Sequence, residues 1–342
     1  MLFGRGAPRR NTLITGKFHA ALPPAVAAIG LILGACATTQ AVAPSPAPTK
    51  APAPDPAATS EPAPEPIVLT DGHGREITLE AAAQRIVSLA PSNTEMLYSI
   101  GAGSQLVGRD EFSDYPPEAS EVQSIGSTFG DLSPEPIVAL EPDLVLAAAI
   151  SPEEQIQTLL DIGLQVFVIA NPTDFEGLYA NIQQVGILTG HQADASALVD
   201  EMKTRVEAVT AAVEGSEPPK VFYEVDGSDP TAPWTTGTGT FQQMMFDLAR
   251  GENISADIQG WAQLSLEEIV ERDPAVIIFG TAPFVPTSVE TLSARAGWGR
   301  ISAVEMGQVY GVNTDWTDLP GPRLVDGLEA IARILHPDRF EP

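Results

Sequence analysis

Between His191 and Gly215 the chain runs without a proline, and its first glycine is the one that closes the stretch. Leu198, Met202, Val206, Val209 and Val213 recur there at spacings of three and four, which is the period of one apolar helix face. At ~1.5 Å per residue such a helix spans about 35 Å, the width of a small lobe, and Pro218-Pro219 stops it. On either side, short aliphatic runs alternate with helical patterns. Ile86 to Leu89, Leu106 to Val107, Leu144 to Ala148 and Val166 to Ile169 precede the long segment; Val221 to Val225, Val276 to Phe279 and Val309 to Val312 follow it. That alternation predicts βα units with mostly parallel strands. The pattern therefore reads as two Rossmann-like α/β lobes, residues 67–190 and 218–342, joined by one long helix over 191–217. One continuous sheet with a long crossover helix is the alternative that the pattern leaves open.

Several helix starts carry local signals. Ser92 with Glu95, Ser151 with Glu154 and Ser265 with Glu268 have capping-box spacing, and Ser133-Pro134 has the form of a cap followed by proline. Asp71-Gly72-His73-Gly74 predicts a turn into a small strand at Glu76 to Leu79.

The first 66 residues belong to neither lobe. Arg5, Arg9, Arg10 and Lys17 precede an apolar stretch from Ala20 to Leu33 that is too short to span a bilayer, the layout of an export signal. Leu33-Gly34-Ala35-Cys36 is a lipobox, and Cys36 is the only cysteine of the chain. Residues 1–35 thus read as a lipoprotein signal peptide and Cys36 as a diacylated N-terminus, two acyl chains being what stable anchoring takes. Nine prolines between Pro44 and Pro66 make residues 36–66 a semi-rigid tether with no core of its own. The chain carries 45 acidic against 18 basic residues, a net charge of −27, and four of those basic residues lie in the signal. Such a surface repels nucleic acid, which excludes that class of partner.

Catalytic machinery is not visible. Gly126-Ser127-Thr128-Phe129-Gly130 has threonine where a nucleophile elbow needs serine, and the histidines at 19, 73, 191 and 336 have no ligand spacing for a metal. Gly237-Thr238-Gly239-Thr240 lacks the lysine of a phosphate loop and reads as a glycine-rich helix entry near a ligand. An extracytoplasmic hydrolase lipoprotein is the competing class, with no motif behind it. The aromatic residues say more. Trp234, Trp261 and Trp316 fall in turn-rich stretches and, with Phe112, Tyr115 and Phe129, point to a flat apolar ligand held at strand ends; Trp298 reads as structural.

Longer motifs carry a resemblance. Arg85-Ile86-Val87-Ser88-Leu89-Ala90-Pro91-Ser92-Asn93-Thr94-Glu95, Leu106-Val107-Gly108, Ser113-Asp114-Tyr115-Pro116-Pro117, the run from Ile137 to Val145, Arg250 to Ile254 and Thr314-Asp315-Trp316 are similar to the cobalamin and iron-siderophore binding proteins of bacterial ABC importers, most of all to the cobalamin binders. The likeness covers essentially the whole of residues 67–342. It implies a class III substrate-binding protein: two lobes on one backbone helix, a ligand held between them, little hinge closure, no catalysis and no resident cofactor or metal.

By the same resemblance Phe112, Phe129, Trp234, Trp261, Asp315, Trp316 and Arg323 border the ligand, with apolar faces covering a corrin plane and Asp315 accepting from its amides. Phe112 and Phe129 stand where the cobalamin binders have Tyr and Trp, and Ala148 where they have another Trp, so another corrinoid, haem or a ferric siderophore stays open. Glu135 and Glu267 match the glutamates that enter arginine pockets of the permease dimer. The expected partners are that permease with its ATPase subunits, a metal-chelate ligand and the membrane through the anchor, for a monomer on the extracytoplasmic face.

Overall fold

The computed structural model describes residues 65–128, 130, 132–282 and 287–340. The signal, the lipobox with Cys36, nearly all of the proline-rich tether, and Phe129 lie outside the described residues. The described chain opens with a hairpin of β1 (Ile67–Thr70) and β2 (Glu76–Leu79), turned by the 71–74 segment. Then come β3 (Ile86–Ser88), α1 (Pro91–Ser99), β4 (Leu106–Arg109), α2 (Glu135–Val138), β5 (Leu144–Ala148), α3 (Glu153–Asp161), β6 (Val166–Ile169) and α4 (Phe175–Thr189). The four central strands form a parallel sheet in the order β4-β3-β5-β6. The long segment is α5 (Gln192–Val213), a single helix.

After it the pattern repeats with β7 (Lys220–Glu224), β8 (Trp234–Thr236), α6 (Phe241–Leu248), β9 (Glu252–Asn253), β10 (Trp261–Gln263), α7 (Leu266–Arg272), β11 (Val276–Thr281), α8 (Val289–Ser293), α9 (Ser302–Glu305), β12 (Val309–Asn313), α10 (Thr314–Thr317) and α11 (Leu324–Leu335). A second parallel sheet has the order β12-β11-β7-β9, and β8 pairs with β10 as a separate antiparallel ribbon. Two sheets, one on each side of α5 in the sequence, replace the single-sheet alternative.

Both sheets reverse direction of growth, at β3 and at β7. The crevice beyond the carboxyl ends of strands at such a switch point is where open α/β sheets hold ligands. In the first half that places the β3–α1 junction and the β4 loop there; in the second, the loop leading from β7 to Trp234.

Burial follows the same plan. β3, β5 and β6 are covered on both faces and contain only buried residues, as parallel strands between helical layers must be. Each half has an outer cluster, centred on Val87, Val145 and Val168 in the first and on Phe222, Phe279 and Trp298 in the second. The largest core is shared: Met96, Phe167 and Tyr179 from the first half and Tyr223, Phe246 and Leu328 from the second join Met202, Val209 and Val213 of α5.

Three of the four expected caps are not made. α1 starts two residues earlier than its spacing predicts, with Ala90 as N-cap and Pro91 in the first turn, so Ser92 caps nothing and Glu95 is free for another partner. Pro152 and Pro134 take the N-cap positions of α3 and α2, and neither Ser151 nor Ser133 caps a backbone N–H. The Ser133 hydroxyl instead donates to the Glu135 carboxylate. Ser265 does form the complete box with Glu268 on α7.

Candidate functional site

In the second half the site begins at Glu224, the last residue of β7. Its buried carboxylate pairs with Arg295, whose guanidinium also lies 4.8 Å over the Trp298 ring. Trp298 is fully buried and donates its indole N–H to the Pro230 carbonyl at 2.9 Å, so it anchors the 225–233 loop from beneath. That loop delivers Trp234 as the first residue of β8. Trp234 and Trp261 were expected on loops; they stand on the β8/β10 ribbon, where Trp261 faces Thr236 and Trp234 faces Gln263. Residues two apart share a strand face, so the two indoles lie diagonally on one side of the ribbon. They are 42% and 40% exposed. The Phe241 ring meets Trp261 at 5.8 Å in an edge-to-face contact and fixes one end of the pair. The glycine-rich stretch of residues 237–240 does lead into a helix, with Thr240 capping α6.

The polar part of the site grows from β12. Asn313 caps α10 by accepting the Asp315 backbone N–H at 3.0 Å. The Asp315 carboxylate lies 3.4 Å from Arg323. Trp316 is half-buried and packs against the shared core, so its indole belongs more to α10 than to an open face.

In the first half, α1 buries four polar residues in succession, Ser92, Asn93, Thr94 and Glu95. Buried polar groups need partners, and Asn93, Thr94 and Glu95 find them in three directions, while Asn93 Oδ1 has none among the described residues. Asn93 donates to the Leu146 carbonyl of β5 at 3.1 Å. The Thr94 hydroxyl lies 2.8 Å from that of Ser88 and 3.0 Å from that of Ser113. Ser113 in turn donates to buried Asp110, which also accepts the Phe112 backbone N–H at 3.1 Å. This network props up the loop that displays Phe112 and Tyr115, 47% and 43% exposed. Burial pushes the Asp110 carboxyl above its ordinary range, against the hydrogen bond from Ser113.

Glu95 reaches the other half of the molecule. Its Oε2 accepts from Arg323 Nε at 2.7 Å and its Oε1 from the Arg323 backbone N–H at 2.9 Å. The same guanidinium stacks 3.7 Å from the Tyr115 ring centroid. Burial raises the Glu95 carboxyl, and the charge of Arg323 opposes it. Of the predicted ligand residues, the structure thus brings together Asp315 and Arg323, with Tyr115 beside them, and pairs Trp234 with Trp261 on one ribbon face. Glu95 was read only as a capping partner. Its role has no local signature, because its partner lies 228 residues away.

Glu135 and Glu267 are both exposed in the first turns of α2 and α7, one in each half. Of these two helices α7 has a side-chain cap and α2 has none. A groove of about 600 Å³ lies elsewhere, between α4, α5 and α6, and none of the predicted ligand residues lines it. Among the described residues no group of three or more His, Cys, Asp or Glu is placed to hold a metal ion.

The sequence is 32% identical over 279 residues to the uncharacterized ABC transporter substrate-binding lipoprotein YvrC of Bacillus subtilis, covering 80% of this chain and 86% of that one. It is 32% identical over 275 residues to a cobalamin-binding protein of Halobacterium salinarum, covering 78% and 73%. Among solved structures, a possible iron-binding (periplasmic solute-binding) protein from Staphylococcus epidermidis superposes with a TM-score of 0.65 at 30% identity, covering 74% of this chain and 99% of that one. Residues 86–315 match the family described as periplasmic binding protein. With two parallel sheets, one on each side of a long helix in the sequence, and residues 86–315 matched, the chain belongs to the periplasmic binding protein family, whose members are non-enzymatic components of transport.

Proposed function

We infer that this protein is the lipid-anchored substrate-binding component of an ABC importer and that its cargo is a metal chelate, a corrinoid such as cobalamin before others. The observation that carries this reading is the presence of two chemistries: Trp234 and Trp261 offer adjoining apolar faces, while Asp315 offers a carboxylate oriented by the Arg323 guanidinium behind it. A planar macrocycle with polar substituents on its rim needs both. Phe112 supplies a further face from the first half, and Phe129 and Trp316 are assigned to the same ligand. The named function of the Halobacterium relative supports a corrinoid. The described iron binding of the Staphylococcus protein supports ferric siderophore or haem as the second reading.

The remaining assignments follow the same logic. Residues 1–35 are removed, Cys36 is acylated, and 36–66 tether the lobes at 67–190 and 218–342, with the helix of 191–217 between them, to the outer face of the membrane. The name of the Bacillus relative supports the anchor. Glu135 and Glu267 project from the two halves toward arginines of a permease dimer that works with ATPase subunits, and the binding protein itself acts as a monomer.

Tryptophan fluorescence during titration with cobalamin, cobinamide, haem and ferric siderophores tests the cargo. Quenching by a corrinoid is expected, with at least tenfold weaker binding in a Trp234→Ala/Trp261→Ala variant; no response to any of the four classes would refute chelate binding. Docking is tested separately. The Glu135→Ala/Glu267→Ala double variant should bind as the parent does and fail to support uptake in a reconstituted importer, and normal uptake would remove that assignment.

A further inference from the structure

The two halves are connected by chain only through α5, yet one side chain bridges them at the level of the site. Arg323 belongs to the second half, as N-cap of α11. Both oxygens of Glu95, from the first half, are engaged by it, one by the guanidinium and one by the backbone N–H. The remaining face of the guanidinium lies on Tyr115, also from the first half, and its Nη1 lies 3.4 Å from Asp315 of the second. The pair is withdrawn from water: the Glu95 side chain is 2% exposed and that of Arg323 13%. A charge-assisted contact in such surroundings is strong and directional, and either charge left without the other is costly.

Two independent features show that the backbone is shaped around this contact. A Cβ on Gly321 would come within 3.1 Å of Glu95 Oε1, so the 319–323 turn approaches the carboxylate closely enough that any larger residue would make it give by a few tenths of an ångström. The carboxylate also sits at the N-terminus of α11, a 12-residue helix whose N-cap side chain makes no capping bond of its own, where a negative charge is favoured.

We propose that Glu95 is a positioning residue that straps the first half to the second through Arg323, fixing the separation of the halves before ligand arrives and presenting Arg323 and Asp315 in one geometry. The second clause rests on the assignment of Arg323 and Asp315 to the ligand; the strap itself does not.

The test measures distance in the ligand-free protein. The full mature chain with Cys36→Ser takes spin labels at Val138 and Met306, which are 48% and 60% exposed on opposite halves. Dipolar spectroscopy should give one narrow distance distribution for this parent. Glu95→Gln, which keeps the shape of the side chain and should fold, should at least double its width. Arg323→Gln should do the same, and the double variant no more than either. Parent-like widths in both single variants, or broadenings that add in the double variant, would overturn the strap. With cyanocobalamin as the probe, release from Glu95→Gln should be about tenfold faster than from the parent, and equal release rates would overturn the positioning. A parent that does not bind cyanocobalamin would count against the proposed cargo and leave the distance result to decide the strap.

Discussion

At the scale of single residues, the second half contains a buried titratable group that is not among the predicted ligand residues. Asp318 follows α10 and is held by the Tyr223 hydroxyl at 2.7 Å and the Gln242 amide at 3.2 Å. Tyr223 is fully buried beneath it. Burial pushes the Asp318 carboxyl up to about 6, with the hydrogen bonds from Tyr223 and Gln242 pulling the other way. In an unfolded chain the same group titrates near ~3.9. The folded protein therefore holds the proton more tightly, so the stability this residue contributes is complete below pH ~4 and is lost as the pH rises through about 6. D318N removes the titration and keeps the size and an oxygen acceptor. From pH 4 to pH 7 the stability of D318N relative to the parent should improve by about 2 kcal/mol, read from urea midpoints at each pH. A difference that does not change across that range would show that the carboxylate is accommodated as an ion.

At the scale of elements, legibility tracked how local the cause was. α5 was visible because its period is regular and nothing inside it breaks a helix, and the observed Gln192–Val213 falls within the expected span. The central strands were visible as aliphatic runs because they are buried on both faces. The box at Ser265 was visible and real because serine is the boundary residue of α7. The same spacing at Ser92 misled, because Pro91 fits the first turn and moves the boundary back to Ala90. Glu95 then lies a full turn inside, where its direction is set by tertiary packing. β8 and β10 are three residues each, too short for alternation to register, so two tryptophans on a ribbon looked like two on loops. The close packing of α4 on α5 left one trace of another kind. A Cβ on Gly186 would stand 2.5 Å from that of Ala195, yet a glycine within a helical pattern does not announce which neighbour requires it. Of the site, the residue types were readable and the join between halves was not, since Arg323 meets Glu95 and Tyr115 only in the folded chain.

At the scale of the molecule, the shared core decides how the halves behave. Two lobes hung on a bare helix would unfold one at a time and swing freely. Here Met202, Val209 and Val213 of α5 are buried among side chains of both halves, and Arg205 on its flank pairs with Asp326 and Glu329 of α11. Removing the apolar partners from either side would open the core of the other, so the halves gain most of their burial together. Equilibrium unfolding should therefore be one transition. The chain allows a direct test, because all four tryptophans, Trp234, Trp261, Trp298 and Trp316, lie after α5, whereas helices lie on both sides of it. Fluorescence consequently reports the second half alone and far-ultraviolet dichroism reports both. In urea the two signals should give the same midpoint and slope. Met202→Ala, which empties part of the common core, should lower both by the same amount, about 2 to 4 kcal/mol. A fluorescence transition displaced from the dichroism transition, in the parent or in the variant, would mean that each half carries its own stability and that α5 is a tether and not a keel.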